Sequence, residues 1–219
     1  FTAILNAANQ TGQLFGKPRE SGTIGGISTE VYTLSSNQLD LPIFKFQTSV
    51  GGTPRSFEIV SSTINDSDSI YESTPVPGTG LTYVYRSDGS GDSSNNTGFF
   101  FLFKQGTMEN AEFTVDTSIT NYIQSLPTQN VNDTDVYLYK LDQFGQLAEL
   151  WTKVPSLSGN NAIYNSLSKS ERNTYNVVTK ANDAIDLVFG DGNFSNIPLG
   201  SFRVYYRTSD NAKYAIQPA

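Results

Sequence analysis

The chain has 219 residues, with 14 Lys and Arg against 21 Asp and Glu for a net charge of -7, and 12 Tyr and 14 Phe beside one Met and one Trp. Cys and His are absent, which removes disulfides, Cys or His zinc sites, and both Ser-His-Asp and Cys-His catalysis from this chain. The acidic balance argues against a phosphate-backbone binder, and no apolar run approaches the roughly 20 residues of a membrane-spanning helix. Neither nucleic acid nor membrane is expected as a partner.

An aromatic-rich, aliphatic-poor palette suits pleated sheets. The chain begins at Phe1, not Met, which reads as a processed product, a fragment or part of a longer polypeptide. Phe1, Ile4, Leu5 and Ala8 fall at helical spacing, as the end of a helix begun upstream or as a frayed terminus. Residues 10–26, with Gly12, Gly16, Pro18, Gly22, Gly25 and Gly26, read as a linker. Strand-like alternation starts at Ile27, with Val31 and Thr33 against Tyr32 and Leu34. It resumes at Leu41, Ile43, Lys45 and Gln47 against Pro42, Phe44 and Phe46, where Pro42 marks an edge or a strand start. Phe57, Ile59 and Val60 predict a third strand, and Thr63-Ile64 with Ile70-Tyr71 extend the set. Residues 81–86 and 98–104 read as a hairpin with a polar tip over 87–97, and the unbroken apolar run Phe99 to Phe103 as a strand buried on both faces.

Ala111 to Asp116 reads as a short strand. Ile119, Tyr122, Ile123 and Leu126 recur at helical intervals before Pro127 and predict a helical turn. Val131 to Leu141 reads as a strand, residues 142–146 as a turn and Leu147 to Val154 as a strand around Trp151. Residues 160–173 read as a helix from Ser168 or a long loop, and Tyr175 to Val178 as a strand. The fold class is mainly β with minor helices, its antiparallel sheets packed like a sandwich, with α+β as the alternative. The expected organisation is a helix end and linker over 1–26 and two β-rich domains over 27–110 and 111–219, or a single domain.

The most informative stretch runs from Asp183 to Arg207. Ile185, Leu187 and Phe189 alternate with Asp186 and Val188 as a strand with one buried face. Gly190, Asp191 and Gly192 end it, an Asp-Gly pair being suited to the positive backbone angles of a tight turn. Beyond a loop with Pro198 and Gly200, Phe202, Val204 and Tyr206 alternate with Arg203, Tyr205 and Arg207.

This segment resembles the signature of the baseplate wedge proteins of T4-like contractile-tailed phages, the baseplate-J-like family. The matching residues are Phe189, Gly190, Asp191, Gly192, Ile197, Pro198, Gly200, Tyr206 and Arg207. The approach is similar too, with Trp151 and Val154, then Arg172-Asn173-Thr174-Tyr175-Asn176-Val177 leading to Asn182-Asp183. The likeness covers roughly residues 130–208 and departs at Ser195, where relatives often have Gly, and at Leu199, where many have a second Pro. It implies a fragment of a non-enzymatic wedge subunit of the virion tail baseplate, assembled in the host cytoplasm. It also implies homodimerisation, contacts to other wedge proteins and rearrangement on tail contraction.

Other chemistry has weaker carriers. Asp186 and Asp191 are a conceivable glycosidase pair, but one sits on a strand exterior and the other in a turn. Asp88, Ser90 and Asp92 have the oxygen spacing of a calcium loop, yet its Gly and Glu positions hold Ser93 and Phe99. Asp183, Asp186 and Asp191 form a second oxygen-rich group without a spacing rule. Asn65, Asn95, Asn132 and Asn193 fit the glycosylation pattern by composition alone. Tyr83, Tyr85 and Tyr205 could stack sugars, and with the polar tips they support an alternative reading as an extracellular carbohydrate-binding module. A hydrolase using only carboxylates is a third reading. No catalytic residue, metal ligand or cofactor is expected.

Overall fold

The computed structural model describes residues 18–24, 27–34, 41–64, 70–87, 98–157 and 172–209. These residues form sixteen strands and short 3-10 turns, with no α-helix among them, so none is long and apolar enough to cross a membrane. The mainly β class expected from the aromatic, alternating sequence holds. The predicted segments 1–9, 88–97 and 160–171 lie outside the described residues. The chain divides into two compact units, residues 1–106 with 216–219, and residues 107–215.

The first unit holds β1 (Pro18–Ile24), β2 (Ile27–Leu34), β3 (Phe44–Val50), β4 (Thr53–Val60), β5 (Ser62–Ile64), β6 (Ile70–Glu72), β7 (Leu81–Ser87), β8 (Gly98–Phe100) and β9 (Leu102–Gln105). They pair as β1-β2-β7-β8, β3-β4-β9 and β5-β6. Two expectations are corrected here. Part of the stretch read as a linker is β1, antiparallel to β2; the glycines lower strand propensity, but a neighbouring ladder still takes up their backbone groups. The run Phe99 to Phe103 is not one strand buried on both faces. It breaks at Phe101, whose ring stacks on Tyr83 with centroids 5.2 Å apart, and continues as β9 beside β4. There β9 is an edge, and Phe103 stays 56% exposed.

The second unit holds β10 (Thr107–Val115), β11 (Ile123–Leu126), β12 (Val131–Leu141), β13 (Leu147–Lys153), β14 (Thr174–Thr179), β15 (Ile185–Phe189) and β16 (Gly200–Thr208). All seven join one sheet in the order β10-β16-β12-β13-β14-β15-β11, with β13 and β14 parallel and the other pairs antiparallel. The sandwich-like packing arises because this single sheet curls until its halves face each other. Phe202 and Phe113 from one half meet Phe189 from the other at 6.2 and 6.4 Å between centroids. Trp151 is edge-on to both Phe189 and Phe202 at 5.5 and 5.4 Å. Val136, Leu138, Ile185, Leu187 and Val204 complete the core. Burial of each such side chain is worth about 1.5–3 kcal/mol.

The helical turn predicted over Ile119 to Leu126 is also corrected. Asn121 takes a left-handed backbone angle (φ 55), and Ile123–Leu126 pairs with β15 as β11. Ile119 and Ile123 are exposed, so the helical spacing did not mark a buried stripe, and strand pairing overrides it.

Candidate functional site

The β15–β16 connection is built around close approach and backbone capture. A Cβ on Gly190 would lie 2.3 Å from Ser195 Cβ, so the chain can fold over at this point only without a side chain. Gly192 has φ +87, the left-handed region in which Gly carries no penalty. The Gly192 N–H donates to Ser195 O at 2.9 Å. Asp191 Oδ1 accepts the N–H groups of Asn193 at 2.9 Å and Phe194 at 3.3 Å. These bonds from Asn193 first, then Phe194, hold its carboxyl below the usual range. Pro198 is buried, and Gly200, at φ +101, starts β16.

Three residues of the approach segment, Arg172, Asn173 and Thr174, brace this turn, while Tyr175 and Asn176 tie the segment to β12 and to the residues after β13. Arg172 Nη2 donates to Gly192 O at 2.8 Å and also to Asn193 O. Asn173 Oδ1 accepts from Asn196 Nδ2 at 2.8 Å, and its Nδ2 donates to Glu149 Oε2 at 3.1 Å. Thr174 Oγ1 donates to Ser195 Oγ at 2.7 Å, and Ser195 Oγ donates to Thr174 O at 3.0 Å. Tyr175, its hydroxyl pushed to a higher pKa chiefly by burial, stays protonated and donates to Val136 O at 2.8 Å. Asn176 Nδ2 donates to the Val154 and Pro155 carbonyls, both at 2.9 Å. The two motifs that carry the resemblance are therefore one physical unit.

At the far end of β16, Arg207 is 1% exposed and donates from Nε to Asp135 Oδ2 at 2.9 Å, with Asp135 2% exposed. Asp135 reaches it because β12 bulges between Asn132 and Val136 opposite β16. Asn132 Oδ1 holds the bulge by accepting Thr134 N at 3.1 Å and Thr134 Oγ1 at 2.8 Å, and Lys153 Nζ donates to the Asp133 and Thr134 carbonyls at 2.9 and 2.8 Å. Asn132, singled out as a glycosylation match, is thus the bulge's own cap. Beside it an open cavity of about 300 Å³ is lined by Asp133, Thr134, Lys153, Val154, Pro155, Asn176 and Val177. Tyr206 stacks into the core and shares a 3.0 Å hydrogen bond with Thr128.

The carboxylates do not converge. Asp186 faces outward mid-strand, where Ser125 Oγ donates to it at 2.6 Å and Lys180 Nζ sits 3.0 Å away; the Ser125 bond first, then Lys180, lowers its pKa. Asp191 caps a turn past the end of β15, its Oδ1 taken by the N–H groups of Asn193 and Phe194, so each carboxylate is committed to local structure of its own. Asp183 lies in the 3-10 turn at the opposite end of β15. Among the described residues no three His, Cys, Asp or Glu side chains gather as a metal would require, while Asp88, Ser90 and Asp92 lie outside them. Of the tyrosines considered for sugar stacking, Tyr83 and Tyr205 are 2% and 3% exposed, so neither offers a free ring face. Tyr139 packs edge-on to Tyr205, and burial, then Tyr205, pushes its pKa up to about 12. Arg203 Nε donates to Glu112 Oε1 at 2.8 Å, and the Tyr205 hydroxyl first, then Glu112, raises its pKa.

Reading by sequence missed Ser195, Arg172 and Asp135 as structural partners. Fold and site together define a mainly β protein in which a glycine-aspartate corner joins β15 to β16 of a curled sheet. The chain belongs to the family described as Domain of unknown function (DUF8360), whose model matches residues 1–219. No curated protein matches the chain, and no solved structure does.

Proposed function

We propose that this protein is a structural subunit of the baseplate wedge of a contractile phage tail, holding neighbouring wedge proteins in register and rearranging on contraction. Its partners on this reading are other wedge proteins and a second copy of itself, and it performs no reaction. The observation that carries the reading is that Asp191 and Arg207, the charged residues matched within the signature itself, are both engaged inside the chain. Asp191 takes backbone N–H groups and Arg207 takes Asp135. Their role is to set backbone shape, and function then lies in surfaces that meet other subunits.

The test is immunogold labelling of tail particles with an antibody against this chain. Label at the baseplate is expected, and particles assembled with the Gly192→Val variant should lack it because the turn cannot form. Label absent from tails, or a strong glycan-array signal from purified monomer, would sink the reading.

A further inference from the structure

The sequence holds two Asp-Gly pairs, Asp88-Gly89, which lies outside the described residues, and Asp191-Gly192 at the corner. Such a pair has a chemical liability besides its turn preference, because glycine puts no side chain in the way when its own amide nitrogen attacks the preceding carboxyl carbon. In that step the Gly192 nitrogen bonds to Asp191 Cγ, the carboxyl OH leaves with the amide proton as water, and a five-membered succinimide closes. Water then opens the ring. Where it cleaves the bond between that nitrogen and the Asp191 main-chain carbonyl carbon, the chain runs on through Cγ and the backbone is one methylene longer, as isoaspartate.

The corner holds every group of this step away from reaction. The nucleophile is occupied, since the Gly192 N–H donates to Ser195 O at 2.9 Å. The carboxylate is occupied at both oxygens: Oδ1 accepts the Asn193 and Phe194 N–H groups at 2.9 and 3.3 Å, and Oδ2 accepts Asn193 Nδ2 at 3.2 Å. The backbone bonds favour the ionised form, whereas only the neutral acid carries the OH that leaves. Arg172 Nη2, by donating to Gly192 O and Asn193 O, pins the two peptide groups that flank Asn193.

We propose that Asp191-Gly192 is a latent modification site, kept closed by the hydrogen bonds of the corner and converted to isoaspartate when the corner opens. The conversion is one-way for the structure. The carboxylate left over sits directly on Cα, one carbon short of the original side chain, so the Asn193 and Phe194 N–H groups lose their acceptor and the corner does not close again. Isoaspartate at residue 191 therefore accumulates as a record of opening. The inference rests on the geometry of the corner and does not depend on the baseplate reading.

The test is peptide mapping of residue 191, with fragmentation that distinguishes isoaspartate from aspartate, after incubation of the full chain at neutral pH. Three samples are compared: the folded parent, the parent unfolded in urea, and Arg172→Ala folded by circular dichroism. The folded parent should gain isoaspartate at least about 10-fold more slowly than the unfolded chain, because the reaction follows the open population. Arg172→Ala should gain it several-fold faster than the folded parent, and Arg172→Lys supplies this comparison where Arg172→Ala does not fold. Isoaspartate-bearing protein with native Trp151 emission should show unprotected Asn193 and Phe194 amides in hydrogen exchange. The proposal is overturned by equal rates in the folded and unfolded parent, by the parent rate in the folded Arg172 variant, or by parent-like protection of those two amides once isoaspartate has formed.

Discussion

A side chain on Gly190 would meet Ser195 at three atoms, the backbone oxygen at 2.8 Å among them, so no rotamer change can relieve the contact. Gly190→Ala should therefore cost about 3 kcal/mol, the upper end of overpacking. Ser195→Gly alone loses the Thr174 hydrogen bonds at about 1–2 kcal/mol. The double variant should be less destabilised than the sum by about 1 kcal/mol, since it deletes the Cβ and Oγ that Ala would strike; urea unfolding measures all three. Additive losses would mean that the two residues are not in contact. Asp191 makes a second residue-level claim. Its carboxyl is held below its ordinary value, so its contribution to stability is complete above the unfolded pKa of about 3.9. The contribution is lost as pH falls through the lowered folded value. Amide exchange at Asn193 and Phe194 should accelerate below about pH 4 in the parent protein, beyond the intrinsic pH dependence. Asp191→Asn should flatten that excess; an unchanged profile would detach the carboxylate from the turn.

At the scale of elements, the bulge in β12 exists where Asp135 meets Arg207 of β16. Asp135→Ala takes a buried carboxylate from the Arg207 guanidinium and should cost about 3–5 kcal/mol, whereas Asp135→Leu combined with Arg207→Met should recover most of the loss; thermal unfolding of the two variants distinguishes them. Alternation made β15 legible because its inner residues Ile185, Leu187 and Phe189 are completely buried while Asp186 and Val188 are not. β12 was legible only in part this way, from Val136 and Leu138, while its hairpin turn rested on turn residues and β13, which buries Trp151 alone, on its apolar content. The Asp135–Arg207 pair was not, because its partners are brought together by a register shift that period-two patterning does not encode. Arg203, Tyr205 and Arg207 read as the face opposite Phe202, Val204 and Tyr206, and Tyr205 and Arg207 on that face are buried as well. A central strand is enclosed on both faces, and alternation in sequence cannot report that. Ile119 to Leu126 misled in the opposite direction, since four apolar residues fit a helix while a left-handed Asn121 and an available β15 edge made a strand. At the site, Gly192 and Asp191 were legible from turn chemistry, but the brace from Arg172, Asn173 and Thr174 was visible only as a family-like string.

On the scale of the whole molecule, the decisive feature is that every strand of the seven-stranded sheet lies between Thr107 and Thr208, inside a single compact unit. Its aromatic core is likewise drawn from that unit alone. A sheet whose strand pairings and core cluster are all internal among the described residues has what an autonomous domain needs. The fragment Thr107–Ala215 should therefore unfold in one transition with a van't Hoff enthalpy of roughly 75 kcal/mol near 60 °C, as expected for its length. Trp151, wedged between Phe189 and Phe202, reports that core directly, and its emission should be blue-shifted in the fragment and shift red at the same midpoint as the loss of strand signal by circular dichroism. A broad transition, or Trp151 exposed in the fragment, would mean that the corner at Gly190 and the bulge at Asp135 cannot close the sheet by themselves. The signature would then depend on the rest of the chain.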